Sequence, residues 1–117
     1  MAQRGLLCVS VNEKSKEAAL EVLAGQEMAE IRIDLMYPAV SKEELRGLFA
    51  VGIPLIVTCR DVEGEGGWGP LRRELLQLGM EGGATHVDIE MEAPQEWRDS
   101  MVALARANGA PFGSTIV

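Results

Sequence analysis

Charged and apolar residues alternate in three short segments of this chain. Ala29–Leu35 reads A-E-I-R-I-D-L, Ile56–Arg60 reads I-V-T-C-R, and His86–Glu90 reads H-V-D-I-E. A period of two predicts β-strands, because successive strand side chains point to opposite faces. Glu30, Arg32 and Asp34 then share one face, and Ile31, Ile33 and Leu35 the other. Ile56, Thr58 and Arg60 group in the same way, as do His86, Asp88 and Glu90. Leu6–Val11 reads as a further apolar strand at the start, and Phe112–Val117 as a fifth at the end. Between these segments the apolar spacing becomes helical. Ser15–Ala24 places Ala19, Val22 and Leu23 on one stripe. Ser41, with Glu44 three residues on, carries a capping-box signature ahead of Leu45, Leu48 and Phe49. Pro70 suits a first helical position before Leu71, Leu75 and Leu78, and Gly82-Gly83 ends that helix. Pro94 opens the last helix, with Trp97, Met101, Leu104 and Ala105 on its stripe and Asn108-Gly109 as its stop.

The order is strand then helix, four times over, plus one strand, at roughly 25–30 residues per unit. Such alternation predicts parallel strands with right-handed crossovers. Two architectures compete. An open doubly wound sheet would be complete at 117 residues, but helices cover both of its faces, so its strands should be apolar throughout. In a (β/α)8 barrel, of roughly 250 residues, one face of every strand turns inward and its polar residues line a site. Here one face is aliphatic: Leu7, Val9 and Val11; Ile31, Ile33 and Leu35; Leu55, Val57 and Cys59; Val87 and Ile89. The other carries Ser10, Glu30, Arg32, Thr58, Arg60, Asp88 and Glu90. The expected fold is therefore α/β, the first four and a half βα units of a TIM-type (β/α)8 barrel, as one partial domain over residues 1–117.

Composition narrows the function. Hydrophobic residues make up 47% of the chain and charged residues 25%, an ordinary globular balance with no run long enough to span a membrane. No secretory pattern opens the chain, so the expected setting is the cytoplasm. A formal charge of −7 argues against a nucleic-acid backbone as partner. A small anion needs only local arginines and stays open. Cys8 and Cys59 have no zinc-like spacing and read as two buried, reduced thiols. No metal or cofactor is expected.

A helix-wrapped sheet bearing acids and arginines on one face is costly unless each charge is paired or meets a ligand. That face is the candidate site. In order and spacing, E-I-R-I-D-L at Glu30–Leu35, I-V-T-C-R at Ile56–Arg60, E-G-G at Glu65–Gly67 and V-D-I-E at Val87–Glu90 resemble type I 3-dehydroquinate dehydratase of the shikimate pathway. L-C-V-S-V at Leu7–Val11 is similar to that family's first strand. The resemblance implies a barrel that removes water from 3-dehydroquinate through a lysine Schiff base, with a histidine moving protons. It implies that Glu30 and Arg32 hydrogen-bond substrate hydroxyls, that Arg60 and Ser10 bind substrate, and that Glu65 orients the catalytic histidine. Glu63-Gly64 offers a second register for that acid.

The family's histidine follows its fifth strand and its lysine ends the sixth. This chain's histidine is His86, at the start of strand four. Its lysines are Lys14, Lys16 and Lys42, in or beside predicted helices. The expectation is a chain carrying the substrate-positioning half and inactive alone. It would be a fragment, one half of a split enzyme, or a polyol-acid binding module derived from the same barrel. Asp34 reads as structural or functional, as do Asp88 and Glu90. Unpaired outer strands predict a homo-oligomer or pairing with a complementary half-barrel.

Overall fold

The computed structural model describes residues 8–60, 68–90 and 92–107. Four strands form one parallel sheet in the order β1-β2-β3-β4: β1 (Cys8–Val11), β2 (Met28–Arg32), β3 (Leu55–Thr58) and β4 (His86–Val87). Sequential order with parallel pairing is the arrangement alternating strands and helices dictate. Register aligns Ser10 with Glu30, Glu30 with Ile56, Arg32 with Thr58, and Ile56 with His86. The long helices are α1 (Lys16–Leu23), α3 (Lys42–Leu48), α4 (Pro70–Gly82) and α5 (Gln95–Ala107); a single turn, α2 (Ile33–Met36), follows β2.

The helix starts follow from their caps. The Ser15 hydroxyl accepts from the Ala18 amide, and Ser41 and Glu44 form a complete reciprocal capping box. Each such cap contributes about 1 kcal/mol. Pro70 is the first residue of α4, where its missing N–H costs nothing. Gly83 ends that helix at φ 129°, and a Cβ there would lie 2.6 Å from the Phe49 carbonyl oxygen. Only glycine fits both the dihedral and the space.

One continuous core forms on one side of the sheet. Val11, Ala29, Ile31, Leu55, Val57, Cys59, Val87 and Ile89 from the strands meet Ala19, Leu23, Leu45, Leu48, Leu75, Leu76, Met101 and Ala105 from the helices. Each large aliphatic side chain buried here stabilises the fold by about 1.5–3 kcal/mol. Helix α4 sits hard against β3: a Cβ on Gly79 would come within 2.5 Å of Val57. The opposite face carries the polar residues, so the one-sided apolar pattern read from the sequence is the pattern that folds.

Three expectations need correction. Strand β2 stops at Arg32, and the chain turns helical over Ile33–Met36. Ile33 and Met36, three apart, are both fully buried by that turn, whereas Leu35 is 37% exposed. Asp34 thus leaves the strand face. Cys8 is exposed on the polar face, and Cys59 alone of the two thiols is buried. Strand β4 is shorter than predicted, although the Asp88 amide still donates to the Val57 carbonyl at 3.0 Å. The predicted fifth strand, Phe112–Val117, lies outside the described residues, as do Glu63 and Glu65.

Candidate functional site

The polar face runs across all four strands and grows more charged toward their C-terminal ends. On its β1 side the Glu30 carboxylate gathers two hydroxyls. Ser10 Oγ donates to Oε1 at 3.1 Å, and Thr58 Oγ1 donates to Oε2 at 2.8 Å. Strand alternation delivers all three groups to this face from three neighbouring strands.

Arg32 comes next. The acid that holds its fork is Asp34. Arg32 Nε donates to Oδ1 at 3.1 Å and Nη2 to Oδ2 at 2.8 Å, a bidentate pair. The turn α2 makes this possible, since it swings Asp34 back toward the strand end. This bond, more than the charges of Asp34, Glu30 and Asp88, pushes the Arg32 guanidinium further up. Arg32 is therefore a permanent cation.

Arg60 lies two residues beyond the end of β3. Its Nη2 lies 2.6 Å from Asp88 Oδ2, and its Nη1 lies 3.5 Å from Glu90 Oε2. The Arg60 side chain remains 45% exposed while that of Asp88 is 4% exposed. Asp88 Oδ1 is buried with no hydrogen-bond partner. Burial pushes the Asp88 carboxyl up, against the pull of Arg60, and the charges of Glu30 and Glu90 add to the rise. An acid with one paired and one orphaned buried oxygen is costly to hold charged.

One member of the site escaped the sequence reading. Arg72, on α4, is only 4% exposed. Its Nε donates to the Cys59 carbonyl at 2.7 Å, and its Nη2 pairs with Glu90 Oε1. Its guanidinium lies 3.8 Å from the centroid of the Trp68 ring and 5.7 Å from that of Trp97. A signal was available: residues 72, 75, 76 and 79 follow the i, i+3, i+4, i+7 spacing of a buried helical stripe.

Ser10, Glu30, Arg32 and Arg60 thus stand together on one face, and Glu65 lies outside the described residues. Two of the three lysines are engaged elsewhere, and Lys16 is the first residue of α1 on the helix side. Lys14 Nζ donates to the Leu35 carbonyl, and Lys42 Nζ pairs with Glu74 at 2.7 Å on the helix side. His86 sits at the start of β4, its Nδ1 2.8 Å from Thr85 Oγ1. Among the described residues no group of three or more His, Cys, Asp or Glu side chains could hold a metal, and no helix is long and apolar enough to cross a membrane.

Comparison with known proteins bears on this geometry. A family model described as Type I 3-dehydroquinase matches residues 7–111. A protein of Methanosarcina acetivorans named 3-dehydroquinate dehydratase is 35% identical over 106 residues, covering 83% of this chain and 43% of the relative. One of the same name from Methanosarcina barkeri is 27% identical over 119 residues, covering 93% of this chain and 49% of the relative. The chain spans about half the length of the curated relatives it matches.

Proposed function

Because the chain belongs to the type I 3-dehydroquinase family, we propose that its polar sheet face is the substrate-positioning half of a 3-dehydroquinate dehydratase site. One observation carries the reading: the charged side chains cluster at the C-terminal ends of parallel strands, on the face the helices leave open. That end is where a (β/α)8 barrel builds its active site. On this reading the protein belongs to a carbon–oxygen lyase of the cytoplasm, where free thiols such as Cys8 and Cys59 persist.

The residues divide the work by chemistry. Arg60 is the ligand cation: it is half exposed, and it carries more donors than Asp88 and Glu90 occupy. Glu30 and Arg32 address the ring hydroxyls, with Ser10 and Thr58 fixing the Glu30 carboxylate. Asp88, through Oδ2, aims the Arg60 guanidinium. Loss of water from the substrate breaks a carbon–oxygen bond and needs an electron sink, which the family's lysine supplies as an imine, with a histidine to move the proton. Glu65, or Glu63 in the alternative register, is the acid we assign to orient that histidine. His86 lies at the start of β4, away from the charged strand ends, and Lys14 is engaged by the Leu35 carbonyl, so the reading gives this chain binding and orientation.

The test is a titration with quinate, followed by borohydride reduction in the presence of 3-dehydroquinate. Quinate should bind and shift the Arg60 and Arg32 side-chain signals in a nitrogen-edited spectrum, and mass spectrometry should find no reduced adduct. A stoichiometric adduct would show an amine at work on this chain. Absence of quinate binding would remove the site.

The engagement of Lys14 and Lys42 favours a second reading, a polyol-acid binding module without chemistry. Adding a polypeptide that supplies the family's lysine and histidine decides between the two. Turnover supports the enzyme half, and binding without turnover supports the module. We also propose that the outer strands are paired, by a second copy or by a complementary half-barrel. A clean monomer in light scattering at high concentration would refute that.

A further inference from the structure

Arg72 reaches the site from the helix layer. A buried guanidinium is expensive unless its donors are met, and here the partners are arranged to fix its direction as well. The Nε bond to the Cys59 carbonyl ties it to the residue immediately before Arg60. The flat face rests on Trp68, and Trp68 is held in turn by Trp97, edge to face, with ring centroids 5.1 Å apart and planes at 60°. Its Nη2 points at Glu90.

Glu90 is shared between two arginines, one on each oxygen. Arg72 takes Oε1 closely, while Arg60 stands 3.5 Å from Oε2. Asp88, at 2.6 Å, is the acid that grips Arg60. We propose that Arg72 is a positioning residue for Arg60. By neutralising Glu90 from behind, it leaves Arg60 aimed chiefly by Asp88, at 2.6 Å against 3.5 Å for Glu90, with its outer donors free for an anionic ligand. Without Arg72, the whole charge of Glu90 faces Arg60. The guanidinium is then drawn into a two-acid clamp and its donors are consumed. A lysine could not substitute, because a point charge cannot bond Cys59, stack on Trp68 and reach Glu90 at once.

This inference rests on the reading of the polar face as a ligand site, and the experiment separates the two. Quinate affinity is measured by calorimetry for the wild-type chain, for Arg72→Met, and for the double variant Arg72→Met with Glu90→Gln. Arg72→Met should bind about tenfold more weakly, the scale of losing the outer partner of a ligand-binding group. Removing the Glu90 charge as well should bring affinity most of the way back. A merely structural role for Arg72 gives no such rescue, so a double variant as weak as Arg72→Met overturns the proposal. So does Arg72→Met binding as tightly as wild type. Should Arg72→Met fail to unfold cooperatively, the wild-type chain decides: the Arg60 Nε–H signal should move with quinate while that of Arg72 stays. An Arg72 signal that moves as far as that of Arg60 would make Arg72 a ligand contact and overturn the positioning role. A wild-type chain that binds no quinate overturns the ligand-site reading itself and takes the positioning role with it.

Discussion

Arg32 and Arg60 stand at the ends of adjacent strands and on the same face, yet their partners come from very different distances along the chain. Arg32 is held by Asp34, two residues on, through a turn that immediately follows its strand. Arg60 is held by Asp88, 28 residues on, and more loosely by Glu90, 30 residues on. The first clamp is local. Much of its attraction survives in an unfolded chain, where the two groups stay near each other. The second exists only once β3 and β4 have paired. The two arginines thus carry like charges but answer to different events: one to a local turn, the other to assembly of the sheet.

The largest test of that contrast is truncation of each arginine. Arg60→Ala leaves Asp88 buried with neither oxygen paired. The loss should be about 1–3 kcal/mol, between the values for exposed and buried pairs because Arg60 itself is half exposed. Arg32→Ala should cost less, since part of its pairing is not lost on unfolding. Urea denaturation reads both, and an Arg32→Ala loss equal to or above that of Arg60→Ala would break the comparison. Next in size is Thr58→Val, which keeps the buried shape but deprives Glu30 of its shorter hydrogen bond; about 1–1.5 kcal/mol is expected.

A third prediction turns on sign. Burial raises the Asp88 carboxyl above its ordinary value of 3.8, so the folded protein holds that proton more tightly than the unfolded chain. Stability from this group is complete below 3.8 and is lost as pH rises through the window just above it. Asp88→Asn removes the titration. Melting temperatures should therefore show the variant gaining on wild type as pH rises through that window, and a constant difference would contradict the raised value. The smallest effect belongs to Ser10→Ala. Ser10 is exposed and Glu30 retains Thr58, so stability should change by about 0.5 kcal/mol or less.

Much of this was legible in the sequence because strand alternation is a strict code. Ser10, Glu30, Arg32, Thr58, Arg60 and Asp88 were placed on one face by period two alone, and they are found there. The code failed where two periods coincide. I-R-I-D-L alternates as a strand should, but Ile33 and Met36 also satisfy a helical turn, and burial of both decided the outcome. Asp34 changed partners with it. Arg72 was passed over for a different reason. The buried stripe was read through Leu71, Leu75 and Leu78, whereas the one that packs runs through Arg72, Leu75, Leu76 and Gly79. Which acid grips which arginine could not be read from the pattern, because it depends on sub-ångström reach across strands.

Trp68 and Trp97 are the chain's two tryptophans, and both rest against Arg72. The tryptophan fluorescence of this chain is therefore emitted from one spot, behind the ends of β3 and β4. An event that lifts Arg72 off the indoles changes the colour or brightness of that light, while an event on the β1 side of the face leaves it alone. The chain carries its own lamp, placed to report on one of its two clamps and not on the other.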